Sequence, residues 1–365
     1  MKRHAHINIS QLLPSTIKKH DVEGNFIKDS ILSLDMVYIY KKHIAGKPQY
    51  YLRVSERKGA RVLVKDIAYL GSSITQVQKR LDNLPDYQTQ IRKAHKNLQR
   101  VINANIWLEK VQSLKLKKNE YLGTYQDELE ACHLHYKSQF LKKAAITRKQ
   151  ILEQFAIDFT YNTTSLEGNT ITLTEAQKLV TQGLTPASRT VREVHDVQNT
   201  QRVFLDWNSF TISHDSIIAL HAELLKHIDN RVGYRLEDVR VYRSRFDVTP
   251  AKYVKADMDI LLEWYEKKRD TLHPVVLACI FHHKFEKIHP FMDGNGRSGR
   301  MLANIILMQN RYPPVIIDKK LRSQYLDALS LADTAHLDDT SSKTYADLVQ
   351  FVTKELCSKY WNFFL

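Results

Sequence analysis

The sequence predicts a mainly α fold, a helical domain over 146–365, preceded by a small basic α+β region. Three observations carry this. From residue 148 onward nearly every segment repeats apolar residues at helical spacing. Before residue 72, runs of β-branched and aromatic residues flank Lys58-Gly59, the signature of strands joined by a turn. The charge of +14 is also segregated, with residues 1–120 holding 23 Lys/Arg against 10 Asp/Glu and the remainder 31 against 30. With 365 residues and 43% hydrophobic content, the chain can bury a sizeable core.

In chain order, residues 50–56 and 61–70 read as a β-hairpin, with residues 37–43 as a third strand. Gly71 closes this unit, and Ser72 or Ser73 can cap a helix. Beyond Pro85, Ile91, Leu98, Val101, Leu108 and Val111 recur at sevens and threes, which predicts a long amphipathic helix. Tyr125, Leu129, Cys132, Tyr136 and Phe140 continue at helical spacing, so residues 72–145 are expected to form a helical linker or hairpin. Helices then follow near 148–162, 174–182, 189–207, 214–228, 256–270, 274–288, 296–310, 319–332 and 343–360. Residues 239–254 break this periodicity around Phe246 and Pro250 and read as a short exposed hairpin or loop.

Several function classes drop out. No apolar run approaches the length of a membrane span, and the N-terminus has no secretory pattern, so a cytoplasmic protein is expected. Cys132, Cys279 and Cys357 are odd in number and widely spaced, which argues against a disulfide framework or zinc site and for buried thiols. The basic first 120 residues suit nucleic acid, an acidic protein, or plain solubility, though the hairpin lacks the signature of a defined nucleic-acid module.

The chemical centre is the stretch from His289 to Arg300, HPFMDGNGRSGR. Pro290 stops one helix, Gly294 and Gly296 bracket Asn295, and a new apolar helix begins at about Gly296. A glycine loop feeding a helix N-terminus aims backbone N–H groups and the positive end of the helix dipole into one concavity, which suits phosphate oxygens. Arg297 and Arg300, three apart on a helix, add planar cationic forks that never lose their charge. Asp293 offers a carboxylate to a Mg²⁺ held against phosphates. His289 is the only base in the loop and can accept a proton from an attacking hydroxyl, with Phe291 as its apolar anchor.

These residues resemble the signature of the Fic (filamentation induced by cAMP) family, HPFx[D/E]GNGRxxR, at every fixed position. The resemblance extends upstream to Ala278, His282, Phe285, Glu286 and Ile288 and to Gly233-Tyr234-Arg235, and spans about 148–365. It implies an adenylyltransferase that moves AMP from ATP, with Mg²⁺, onto a Ser, Thr or Tyr hydroxyl of a target protein. In that reading His289 is the base and Asp293 holds Mg²⁺. Gly294, Asn295, Gly296 and Arg297 cradle the α- and β-phosphates, and Arg300 engages the γ-phosphate. Val248, Thr249 and Pro250, in the 239–254 flap, would dock the target by strand addition.

Thr163-Thr-Ser-Leu-Glu167-Gly168 resembles the family's inhibitory motif, [S/T]xxxE[G/N], on a helix near 155–169 that precedes the catalytic loop. A glutamate that reaches Arg300 would take the donor the γ-phosphate needs. Alone, Glu167-Gly168-Asn169 reads as a helix end. A similar tripeptide at 23–25 has Lys19 where the motif wants Ser or Thr and reads as a turn. The related death-on-curing toxins carry Lys in place of Gly296 and transfer a γ-phosphate, so Gly296 favours AMP transfer. Removal of AMP, or a dual activity, stays open, as does an adaptor or nucleic-acid role for residues 1–120. The expected division is 1–71, 72–145 and 146–365, with self-modification and a homodimer among the expected partnerships. The target and the choice among ATP, GTP, UTP and CTP are not legible.

Overall fold

The computed structural model describes residues 36–58, 61–239 and 248–365. The chain forms two compact units that meet between Ile106 and Trp107.

In the first unit, strands β1 (Met36–Ile44), β2 (Lys47–Lys58) and β3 (Arg61–Gly71) form an antiparallel sheet in the order β1-β2-β3. Ala45 and Gly46, with φ of 50° and 74°, make the two-residue turn between β1 and β2, the left-handed pair whose twist matches a hairpin. Alternation then sorts the side chains. Val37, Ile39, Tyr50, Leu52 and Leu70 face helices α1 (Ile74–Asp82) and α2 (Gln88–Ser113), burying a core with Ile74, Val77, Leu81, Leu98 and Ile102. Ser73 caps α1, its hydroxyl accepting from the Gln76 N–H at 3.4 Å.

The second unit is helical: α3 (Gln126–Ser138), α4 (Ala145–Leu166), α5 (Leu173–Gln182), α6 (Val191–Leu205), α7 (His214–Leu224), α8 (Val254–Lys268), α9 (Pro274–Ile288), α10 (Asn295–Gln309), α11 (Arg322–Leu331) and α12 (Ser342–Phe363). Helices α9 and α10 are buried nearly all round, polar side chains such as Lys284, Arg297 and Arg300 included, and pack on each other at the centre. Around them lie α4 against α6, α8 against α9, and α12 against α9 and α3. Thr172 with Glu175 and Thr190 with Glu193 form capping boxes that fix the starts of α5 and α6.

The region expected as a separate linker, 72–145, divides between the units. It supplies α1 and α2 as far as Ile106 to the first unit, and to the second the end of α2 and α3, which packs on α12 through Leu129, Cys132 and Tyr136 in the main core. The three cysteines are free and buried. Among the described residues no helix is long and apolar enough to cross a membrane. The 23–25 tripeptide and Phe246 lie outside the described residues. Of the 239–254 interruption, the described part is irregular chain through Pro250 and a single turn, Ala251–Tyr253.

Candidate active site

The site is built where α9 ends and α10 begins. His289 is the C-cap of α9 in left-handed conformation, φ 52°, which swings its ring out of the helical path. Its N–H donates to the Phe285 carbonyl at 2.9 Å and its carbonyl accepts from Arg235 Nε at 2.8 Å. Its ring is buried beside the Glu286 backbone, which favours the protonated form. Burial, helped by the Arg235 charge, pulls the imidazole down to about 4, so it is neutral near pH 7 and able to accept a proton.

Asn295 ties the loop shut. Its Oδ1 accepts from the Phe291 N–H at 2.9 Å, and its Nδ2 donates to the Phe291 carbonyl at 2.8 Å. The side-chain amide of Asn295 is therefore engaged with the loop's own backbone. Gly294, φ 75°, leads into α10, where a Cβ would stand 2.8 Å from Leu225. Helix geometry then leaves the N–H groups of residues 295, 296 and 297 without intrahelical acceptors. Phe291 is buried with its ring 3.7 Å from His221 and nearly parallel. His221 Nε2 in turn donates to the Asp293 carbonyl at 3.0 Å, fixing the loop from α7.

Charged groups close on this loop from α6. Arg192 pairs with Asp293 Oδ2 and Asp196 with Arg297 Nη1, while Arg297 Nη2 lies 3.6 Å from Asp293 Oδ1. Burial opposes charge on Asp293, but Arg297 and Arg192 outweigh it and hold its carboxyl below the ordinary range. Arg297 Nε is buried and has no hydrogen-bond acceptor among the described residues.

Arg300 is held by the last turns of α4. Its Nε donates to Thr163 Oγ1 at 2.7 Å, and its Nη2 donates to the Thr163 carbonyl at 3.0 Å and to Glu167 Oε1 at 2.7 Å. Its other side borders a small, mainly apolar cavity among Phe159, Cys279, Ala303 and Tyr325. Glu167 is the C-cap of α4 and Gly168, φ 100°, turns the chain away. Burial again opposes the charge of Glu167 and Arg300 overrides it, so the carboxyl stays below its usual range. A Cβ at Gly296 would stand 2.1 Å from Glu167 Oε1, so this glycine is what lets the carboxylate sit on the nest. At the back, Gly299 packs against His282 and Glu286, whose Oε1 is buried 4.0 Å from His282 Nδ1, and burial raises the Glu286 carboxyl to about 8.

The fold thus gathers His289, Asp293, Gly294, Asn295, Gly296, Arg297, Arg300, Thr163, Glu167 and Gly168 at one place. Val248, Thr249 and Pro250 reach its rim through Arg235, whose guanidinium donates to the Thr249 carbonyl and, at 2.9 Å, to that of Glu237. Thr249 Oγ1 is bound to Asp257 at 2.6 Å and its N–H reaches the Lys287 carbonyl at 3.4 Å, and no strand forms in the described part of the flap. Arg192, Asp196 and His221 escaped the sequence reading. Arg192 and Asp196 lie four apart on α6 and read as an ordinary solvated face, and the one signal present was that they share a side of that helix.

Residues 211–307 match the family model described as Fic/DOC family. Among curated relatives, protein adenylyltransferase Fic of Drosophila ananassae is 30% identical over 277 residues, covering 71% of this chain and 53% of that protein. Protein adenylyltransferase fic-1 of Caenorhabditis elegans is 28% identical over 205 residues, covering 54% and 40%. The chain therefore spans about half the length of the curated relatives it matches. A Fic domain containing signaling protein from Bacteroides thetaiotaomicron superposes with a TM-score of 0.55 at 25% identity, covering 64% of this chain and 97% of that one. Residues 134–508 of Fic-1 from C. elegans share the fold at a TM-score of 0.53 and 20% identity, covering 80% and 96%. The HPF-to-Arg300 loop lies within the matched segment, and residues 211–307 form a domain of the Fic/DOC family.

Proposed function

We propose that this chain transfers AMP from ATP to a hydroxyl of a protein, and that Glu167 restrains it. The observation that carries the reading is the meeting of a neutral His289 with a glycine nest and two arginines, one of them held by Glu167 at 2.7 Å. The target oxygen attacks the α-phosphorus as its proton passes to the His289 ring. A P–O bond to AMP forms, the α–β bridge breaks, and pyrophosphate leaves. The N–H groups of 295–297 and the Arg297 fork meet the charge that develops on the phosphate oxygens. Bound phosphates would also raise the His289 pKa from about 4 toward neutrality, strengthening the base when substrate is present.

Magnesium fits these residues. Among the described residues no three His, Cys, Asp or Glu side chains could cage a metal, which suits an ion that arrives with nucleotide and takes one carboxylate plus phosphate oxygens. Asp293, kept ionised beside the nest, would hold it, and the ion would neutralise phosphate charge.

Arg300 keeps its two Thr163 contacts when Glu167 departs, so the γ-phosphate can replace the carboxylate on a donor already in position. The test is incubation with Mg²⁺ and α-labelled ATP, following label on the protein for wild type, Glu167→Gly, and Glu167→Gly with His289→Ala. Strong label in the single variant, weak label in wild type and none in the double variant is expected. Equal label in all three would remove both the base and the brake.

A further inference from the structure

The sheet of the first unit has a second face, away from α1 and α2, that AMP transfer does not use. Strand alternation and register place Tyr38, Tyr40 and Lys42 of β1 there, beside Arg53, Tyr51 and Gln49 of β2 respectively, with Tyr69 of β3 opposite Tyr51. Tyr51 and Tyr69 lie 5.3 Å apart, and the Arg53 guanidinium stacks 3.3 Å over the Tyr40 ring. The same face continues along β3 through Val62 and Val64, 50% and 52% exposed, and Tyr69 is 41% exposed. Lys42 and Lys47 are exposed at the β1–β2 end, and exposed Arg80 sits 5.8 Å from the Tyr69 ring.

Rings and cations interleaved on one sheet face combine two attractions. Across residues 36–106, 14 Lys/Arg stand against 4 Asp/Glu, so the unit attracts a polyanion and repels a second copy of itself. A carboxylate-rich peptide would satisfy the cations and leave the tyrosine rings and the two valines uncontacted. Unpaired bases supply flat partners for the rings as their phosphates meet the cations, whereas duplex bases are already covered by their neighbours.

We propose that this face binds single-stranded nucleic acid, with bases on Tyr51 and Tyr69 and backbone phosphates against Lys42, Lys47 and Arg80. The strand lies across β2 and β3, and contact is through base faces and phosphates, so sequence preference is weak.

The test uses the full chain and fluorescence anisotropy with fluorescein-labelled 20-nucleotide oligothymidylate and oligouridylate, and a 20-base-pair duplex, over a series of salt concentrations. Binding of the single strands should exceed that of the duplex and weaken linearly in log salt. Lys42→Glu with Lys47→Glu should flatten that slope by about 1.4, from roughly 0.7 per phosphate contact. Tyr69→Leu should weaken binding by about tenfold with the slope unchanged. Tyr69→Phe, which loses the hydroxyl bond to Gln49 and keeps the ring, should bind as wild type and so separates stacking from folding. Equal binding of the duplex, no effect of Tyr69→Leu, or displacement by polyglutamate at matching charge would each overturn the proposal.

Discussion

Removing Glu167 should make this protein less stable and more active at once. The Glu167–Arg300 pair joins a side chain 43% exposed to one 7% exposed. An exposed ion pair contributes about 0.2–1 kcal/mol, and a hydrogen bond to a buried charge about 1.5–3. This half-exposed case falls between them, at about 1–2 kcal/mol. Arg300 keeps Thr163 Oγ1 and the Thr163 carbonyl in Glu167→Gly, so its charge is not stranded and the loss stays near that figure. In a helical unit of this size, 1 kcal/mol shifts Tm by about 2–4 °C. The same 1–2 kcal/mol is what a γ-phosphate must overcome to displace the carboxylate, so releasing it should speed label transfer roughly 5–30-fold at subsaturating ATP. Thermal unfolding without nucleotide and initial rates with α-labelled ATP read the two effects on one sample. A variant with higher Tm and unchanged rate would refute the idea that the pair both stabilises the free protein and occupies the nucleotide's donor.

Gly296→Ala would drive a Cβ into Glu167 Oε1, so Glu167→Gly should restore part of the lost stability in that background instead of adding to the loss, which a double-mutant cycle by thermal unfolding reads directly. Arg235→Lys removes the fork that meets the carbonyls of His289, Glu237 and Thr249; unfolding in urea should show a loss of about 2–4 kcal/mol, with slower transfer because the His289 backbone loses its anchor. Glu286 keeps its proton up to about pH 8 when folded and gives it up above about 4.5 when unfolded. Its effect is therefore absent below pH 4.5 and destabilising as pH rises toward 8, by about 1.4 kcal/mol per pH unit at most. Glu286→Gln, neutral throughout, should raise Tm at pH 8 and leave it nearly unchanged at pH 4.5; an equal shift at both would show that the effect is packing.

Much of this was legible because it is local. The stripe from Ile91 to Val111, the Ser73 cap and the helices from α4 to α12 are written in 3.6-residue spacing and in residues that stop helices, which neighbours in sequence decide. The loop from His289 to Arg300 was legible for the same reason, since its base, carboxylate, glycines and arginines are contiguous. Pairing across the chain was not, apart from Glu167 with Arg300, which the family resemblance supplied. Arg192 meets Asp293 and Asp196 meets Arg297 over 101 residues, and Arg235 meets the His289 carbonyl over 54. Nothing in the local pattern separates such side chains from an ordinary charged surface. Asn295 shows the opposite difficulty: its place in the motif suggests a ligand contact, while its amide geometry serves the loop's own backbone. The tyrosine face of the sheet needed register, because a ring on β1 and a ring on β3 become neighbours only once β2 is set between them.

In the proposed function, restraint and competence share the end of α4. Thr163 and Glu167 are one turn apart, so both face Arg300 on the same side, and they do opposite things to it. Thr163 offers neutral acceptors at the buried end of the guanidinium, which orient a cation without cancelling its charge. Glu167, at the exposed end, cancels the charge where a phosphate would arrive. As C-cap it keeps its N–H on the Thr164 carbonyl at 3.0 Å, and its side chain is no part of the helix's hydrogen-bond ladder, so the carboxylate can leave Arg300 without unwinding the turn that holds Thr163. Asn169 then pins the chain to the Glu193 carbonyl on α6 at 3.0 Å, limiting the motion to the one side chain and its glycine. In the proposed reading the brake releases by a rotamer change at Glu167, and the phosphate donor stays in place.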